Sequence, residues 1–191
     1  QGVDAAAHEA GESVLGADAK RAIGLDIDDR VARLASPDGA QWQLAHADFT
    51  LWYPIAKEVG FTAPFFTLNP PFSLNWHRER LADLAHSGAD GVPEAFACHR
   101  ETIDSTLASF LCAIDMLTAT GEGLMVCNAS TARRFFGSPD DAGREGMHPD
   151  LMRYIWLWLE IPEPIYENQH TRFDTAVLYF SRSHHYHTDT G

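Results

Sequence analysis

No stretch of this chain is apolar for long enough to span a membrane, cysteine is confined to three positions, and basic residues are scarce. A membrane-crossing helix needs about 20 mostly apolar residues, and the first residues carry no secretory pattern. Cys98, Cys112 and Cys127 are widely and irregularly spaced. That argues against a disulfide framework or a zinc site and for a reducing compartment, with the cytosol as default. The 14 Lys and Arg stand against 27 Asp and Glu, a net charge of −13. A free-standing nucleic-acid binder needs a basic face, because neutralising phosphates supplies most of the nonspecific affinity. None is evident here, so a nucleic-acid substrate would be gripped with help from another domain or subunit. An initiating Met is also missing, and Gln1 to Lys20, rich in Ala and Glu, reads as the tail of an element whose front is absent.

What remains is ordinary for a folded domain. The 191 residues are 45% hydrophobic and 21% charged, enough for one domain with a real core. The most informative stretch is Leu68-Asn69-Pro70-Pro71-Phe72, which follows the apolar run Ala63 to Thr67, read as a buried strand. Two prolines donate no backbone hydrogen bond and hold φ at about −65°, and Asn69, preceding a proline, is pushed toward extended geometry. The strand must stop in a stiff loop that presents an amide, a carbonyl and an aromatic face. Such a trio suits a planar group carrying an amine, although a rigid strand-ending turn would need the same residues.

Earlier in the chain, Ala22-Ile23-Gly24-Leu25-Asp26-Ile27-Asp28 is a short apolar run ending in carboxylates. In an open parallel sheet ligands gather at the carboxyl ends of strands, where an acid can accept from both ribose hydroxyls. Asp26 is the candidate, with Ile27 beside it. The acids also suit a helix start, with Asp28 or Asp29 capping Arg30 to Ala35, and the two readings are compatible. Gln41 to Phe49 alternates weakly and ends in Asp48-Phe49. There an acid can accept from an adenine amino group while the ring packs on its face, or can simply turn the chain.

After the proline loop comes a polar stretch, Ser73 to Gly91, with Trp76, His77, Arg78, Arg80 and His86, a candidate for DNA contact. Pro93 to Thr120 reads as a long helix whose stripe of Ile103, Leu107, Phe110, Leu111, Ile114 and Leu117 is core, ended by Gly121 and Gly123. Gly123 to Ala129 reads as a strand, with Ser130 capping a short helix from Thr131 to Phe136. Residues 138 to 148 read as an exposed loop, and Pro149 to Leu159 as a third helix. Glu160 to Tyr166 and Asp174 to Phe180 read as a closing antiparallel hairpin. The tail from Ser181 holds His184, His185 and His187, either a metal site or a polar end.

Alternating strands and helices finished by a hairpin predict an α/β open sheet. In that series the chain resembles the class I S-adenosylmethionine-dependent methyltransferases, and among them the DNA methyltransferases that act on the adenine amino group. Their (Asp/Asn/Ser)-Pro-Pro-aromatic loop after the fourth strand stands here as Asn69-Pro70-Pro71-Phe72. Their second-strand acid resembles Gly24-Leu25-Asp26, and their third-strand acid with its aromatic resembles Asp48-Phe49. The late strands resemble Ile161 to Tyr166 and Thr175 to Phe180. The resemblance implies a Rossmann-like, mostly parallel sheet closed by an antiparallel C-terminal hairpin, with residues 1–182 as the methyltransferase domain and 183–191 as a polar tail. It implies Asn69, Pro70, Pro71 and Phe72 as catalytic residues, with Asp26, Ile27, Asp48, Phe49 and Asn69 around S-adenosylmethionine, no metal, and DNA as partner in a restriction-modification or phage-defence setting. The family's first strand and Phe-x-Gly-x-Gly turn have no counterpart before Asp26, which predicts a domain lacking its upstream part. A glutamine amide of a protein, or RNA, is the alternative acceptor for the same loop; a scaffold without catalysis is the third reading.

Overall fold

A computed structural model describes residues 22–27, 42–72, 74–137, 147–161 and 174–183. The chain divides into two compact units, Gln1–Trp52 and Tyr53–Gly191, each described by itself. No helix among the described residues is long and apolar enough to cross a membrane.

In the first unit β1 (Ala22–Asp26) pairs in parallel with β2 (Trp42–His46), from Ala22 against Trp42 to Asp26 against His46. Parallel pairing puts both carboxyl ends at one edge of the sheet. The ladder extends by one further bond, from Ala47 N to Asp26 O at 2.9 Å. Asp48 then starts α1 (Phe49–Glu58), accepting from Thr50 N at 2.8 Å and Thr50 Oγ1 at 2.7 Å through a single oxygen. The expected caps Asp28 and Asp29 and the helix after them lie outside the described residues.

The second unit is built on a four-stranded sheet in the order β3 (Ala63–Leu68), β6 (Leu117–Asn128), β8 (Thr175–Ser181), β7 (Ile155–Ile161). β3 runs parallel to β6, while β8 is antiparallel to both β6 and β7. Three strands thus share one direction and β8 alone is reversed, giving the Rossmann-like α/β fold with its antiparallel C-terminal pair. β3, at one end of the sheet, is half-buried to exposed rather than the buried strand expected.

Between β3 and β6 the chain forms β4 (Asn75–His77), a 3-10 segment (Arg78–His86), α2 (Val92–Ala97), β5 (Thr102–Asp104) and α3 (Ser105–Met116). The single helix expected over 93–120 is therefore incorrect. Asp104 accepts from Thr106 N at 2.8 Å and begins a new helix there. An Asx N-cap satisfies an orphan N–H that a continuous helix would not have. The apolar stripe is nevertheless core, since Ile103, Leu107, Phe110, Leu111, Ile114 and Leu117 are all buried.

Gly121 and Gly123 do not end a helix but lie inside β6. At Gly123 a Cβ would fall within the van der Waals surface of the Phe180 ring on β8, so only glycine fits. α4 (Ala129–Phe136) is capped by Asn128, which accepts from Ser130 N at 2.9 Å, and Ser130 is not the cap. The helix expected over 149–159 is instead a short 3-10 turn, Pro149–Tyr154, followed by β7. The sequence Ile155-Trp156-Leu157-Trp158 favours a strand, because bulky aromatic and branched side chains pack well on a pleated surface. The antiparallel pairing with β8 is found, but β7 is Ile155–Ile161 and holds only Glu160 and Ile161 of the expected strand, whose remainder from Pro162 to Tyr166 lies outside the described residues.

One buried polar cluster ties α1 to α3. Tyr53 donates to Asp115 Oδ2 at 2.7 Å, and Lys57 Nζ reaches the same oxygen at 2.8 Å, the Asp115 side chain being 2% exposed. Burial raises the Tyr53 phenol, and the charges of Cys112 and Asp115 reinforce this.

Candidate active site

The proline loop leaves the carboxyl end of β3 and is held from two sides. Pro70 is buried, whereas Asn69 and Pro71 are exposed and Phe72 is half-buried. Ser105, the first residue of α3, donates its Oγ to Pro71 O at 2.6 Å, and its main-chain N donates to Leu74 O at 2.9 Å. The loop is therefore fastened to the start of a fully buried helix. No hydrogen bond engages the Asn69 amide among the described residues. The turn is thus rigid, fastened from outside and leaves its amide uncommitted.

β4 and β5 continue this wall as an antiparallel ribbon, Asn75 opposite Asp104 and His77 opposite Thr102. The expected loop over 73–91 is thus a short strand and a 3-10 segment. Asp104 works twice, Oδ1 capping α3 and Oδ2 accepting from Arg134 Nη2 of α4 at 2.9 Å. Arg133 beside it pairs with Glu160 of β7.

In the first unit, Asp26 and Asp48 lie at the carboxyl ends of the parallel pair, Asp26 half-buried and Ile27 71% exposed. Phe49 packs against Trp52 with ring centroids 6.0 Å apart. The structure brings Asp26, Ile27, Asp48 and Phe49 to one sheet edge of the first unit, and places Asn69 to Phe72 at the carboxyl end of β3 in the second. A carboxylate, an exposed apolar side chain and an aromatic at strand ends form a donor set that fits the ribose and adenine of a nucleoside cofactor.

Cysteine chemistry finds no support in the second unit. All three cysteines are free, and burial pushes Cys127 up to about 12 and Cys112 well above its usual range, so neither is ionised at neutral pH. No group of three or more metal-ligating side chains occurs among the described residues, and the His-rich tail from His184 lies outside them. Sequence reasoning misses Ser105 because it lies inside an apolar periodicity. The run Asp104-Ser105-Thr106 carries the signal, since such residues favour caps over helix interiors.

No protein-family model matches the chain, and no curated protein is similar to it in sequence. Among solved structures, the chain shares its fold with a protein described as a modification subunit of a putative type I restriction enzyme, from Vibrio vulnificus YJ016. The TM-score is 0.51 at 14% sequence identity, over 75% of this chain. The chain spans only 28% of that subunit's length.

Proposed function

We propose that this protein is an S-adenosylmethionine-dependent methyltransferase that modifies the exocyclic amino group of adenine in DNA. The observation that carries the proposal is the Asn69-Pro70-Pro71-Phe72 loop, exposed at its amide and clamped through Pro71 O by Ser105. The shared fold with a restriction-enzyme modification subunit supports the same class.

An adenine amino nitrogen is a poor nucleophile because its lone pair is delocalised into the ring. Asn69 Oδ1 and the Pro70 carbonyl accept its two hydrogens and favour a tetrahedral nitrogen whose lone pair points away from the ring. Phe72 stacks on the base after it leaves the helix, returning roughly 1–3 kcal/mol against an unstacking cost of a few kcal/mol. Asp26 accepts from the ribose hydroxyls of the cofactor, Asp48 and Phe49 hold its adenine, and Ile27 packs beside it. When bound, S-adenosylmethionine would supply an electrophilic sulfonium methyl to the nitrogen that Asn69 and Pro70 hold. Residues 1–182 form the methyltransferase domain in this reading.

Replacing Asn69 with Ala is expected to lower methyl transfer by about 100-fold or more while cofactor affinity by calorimetry is retained. Full activity in that variant would dispose of the mechanism. The net charge of −13 favours a second acceptor, a glutamine amide of a protein, which the same loop could hold. Labelled methyl incorporation into protein and not DNA would establish it.

A further inference from the structure

Beside the acceptor loop lies a group of basic side chains that the proposed chemistry does not use. Arg78 opens the 3-10 segment directly after β4, its main-chain N bonded to Glu101 O at 2.9 Å. Its guanidinium sits 4.3 Å from the centre of the Phe96 ring on α2, and its Nε is buried without a hydrogen-bond partner. As a whole the residue is half-buried. No carboxylate pairs with Arg78 among the described residues. His99, which follows α2, likewise has a buried Nε2 with no partner, and so does His148, whose ring centre is 5.7 Å from that of His99. Burial lowers the His99 imidazole, Arg134 and Arg78 lower it further, and Asp104 alone opposes them.

Among the described residues Asp104 is the one carboxylate in this group, and both its oxygens are committed, to Thr106 N and to Arg134. Arg134 takes the second oxygen of Asp104, and Arg78 has no carboxylate partner among the described residues, in a chain whose overall charge is −13. A partly desolvated cation without a counter-ion is costly, and buried polar nitrogens left unpaired call for a ligand, water or ion. An anion supplies what is missing. An arginine held over an aromatic ring can meet the oxygens of a phosphate with its planar fork. The location is linked to the loop through the ribbon, since β4, which ends directly before Arg78, pairs its Asn75 with Asp104, and Asp104 adjoins Ser105, whose hydroxyl holds the Pro71 carbonyl.

We propose that Arg78, with Arg134 and His99 beside it, binds a phosphodiester group of the nucleic acid whose base is presented to Asn69 and Phe72. The inference rests on the reading of the loop as a nucleic-acid acceptor site. It gives an acidic protein a local phosphate anchor at the other end of the β4–β5 ribbon from the clamp on that loop.

The test is binding of a short single-stranded oligodeoxynucleotide across a salt series, with inorganic phosphate as a second probe. Arg78→Gln is expected to raise Kd about tenfold and to reduce the slope of log K against log salt by about 0.7, the value for one fewer phosphate neutralised on a single strand. Arg78→Lys is expected to restore the slope while recovering only part of the affinity. An unchanged slope in Arg78→Gln overturns the anchor. If Arg78→Gln fails to fold, the Arg78 Nε–Hε resonance of the wild-type protein decides: a shift on adding oligonucleotide supports the anchor, and none under saturating oligonucleotide overturns it. A shift with inorganic phosphate but no oligonucleotide binding identifies a free-phosphate site and also overturns it. Transfer of methyl groups to DNA with an unchanged slope removes the anchor alone, whereas a reduced slope without transfer to any DNA supports the anchor and removes the acceptor reading.

Discussion

Ser105 and His148 show how single side chains carry distinct consequences. The Ser105 hydroxyl is the fastening of the proline loop at 2.6 Å, so Ser105→Ala leaves Pro71 O to solvent and loosens the amide beside it. A hydrogen bond of this kind contributes about 1 kcal/mol net, and loosening the acceptor geometry by that amount lowers kcat about fivefold. Steady-state kinetics should show the loss in kcat with cofactor affinity unchanged. His148 is 7% exposed, and burial, then the neighbouring His99, pushes its imidazole down to about 4. Its ordinary value is about 6.5, so between these two the unfolded chain binds the proton more readily than the folded one. Stability from this residue is complete above about pH 6.5 and is lost as pH falls toward about 4. Denaturant titrations across that window should show the decline, and His148→Gln should flatten it.

At the scale of elements, the register of β6 against β8 depends on Gly123, where an added Cβ meets the Phe180 ring. Gly123→Ala is expected to cost about 1–3 kcal/mol by overpacking, read as a lower urea midpoint. Asp115→Ala removes the shared acceptor of Tyr53 and Lys57 and leaves the buried Tyr53 hydroxyl without it, a loss of about 1–3 kcal/mol. The ladder strands β1, β2, β3 and β8 are legible in the sequence because short apolar runs end at acids, prolines or turns. The helices are less so. α1 is hidden because Pro54 sits inside it, and proline ordinarily argues against a helix interior. α2, β5 and α3 merge into one expected helix because Ile103 and Leu117, on flanking strands, happen to fall in phase with the α3 stripe. β7 reads as a helix because four consecutive bulky residues carry no clear period, and only pairing with β8 decides their conformation. The acceptor loop is legible from Asn69 to Phe72, since proline stiffness is local. Its clamp is not, since the hydrogen bond spans 34 residues of sequence.

For the whole molecule, the two units each present strand carboxyl ends bearing the residues singled out from sequence, Asp26 and Asp48 in one and Asn69 to Phe72 in the other. An overall charge of −13 leaves the Arg78 and Arg134 group as a local exception to a repulsive surface. Binding to DNA should accordingly be weak and should weaken further with added salt. The central claim is that the Asn69 loop accepts an adenine amino group. Its most direct test is transfer of a labelled methyl group from S-adenosylmethionine to unmethylated DNA, RNA and protein acceptors by this protein. The account predicts label in DNA, recovered as N6-methyladenine and lost in Asn69→Ala; label in protein alone, or in DNA undiminished by that substitution, would contradict it.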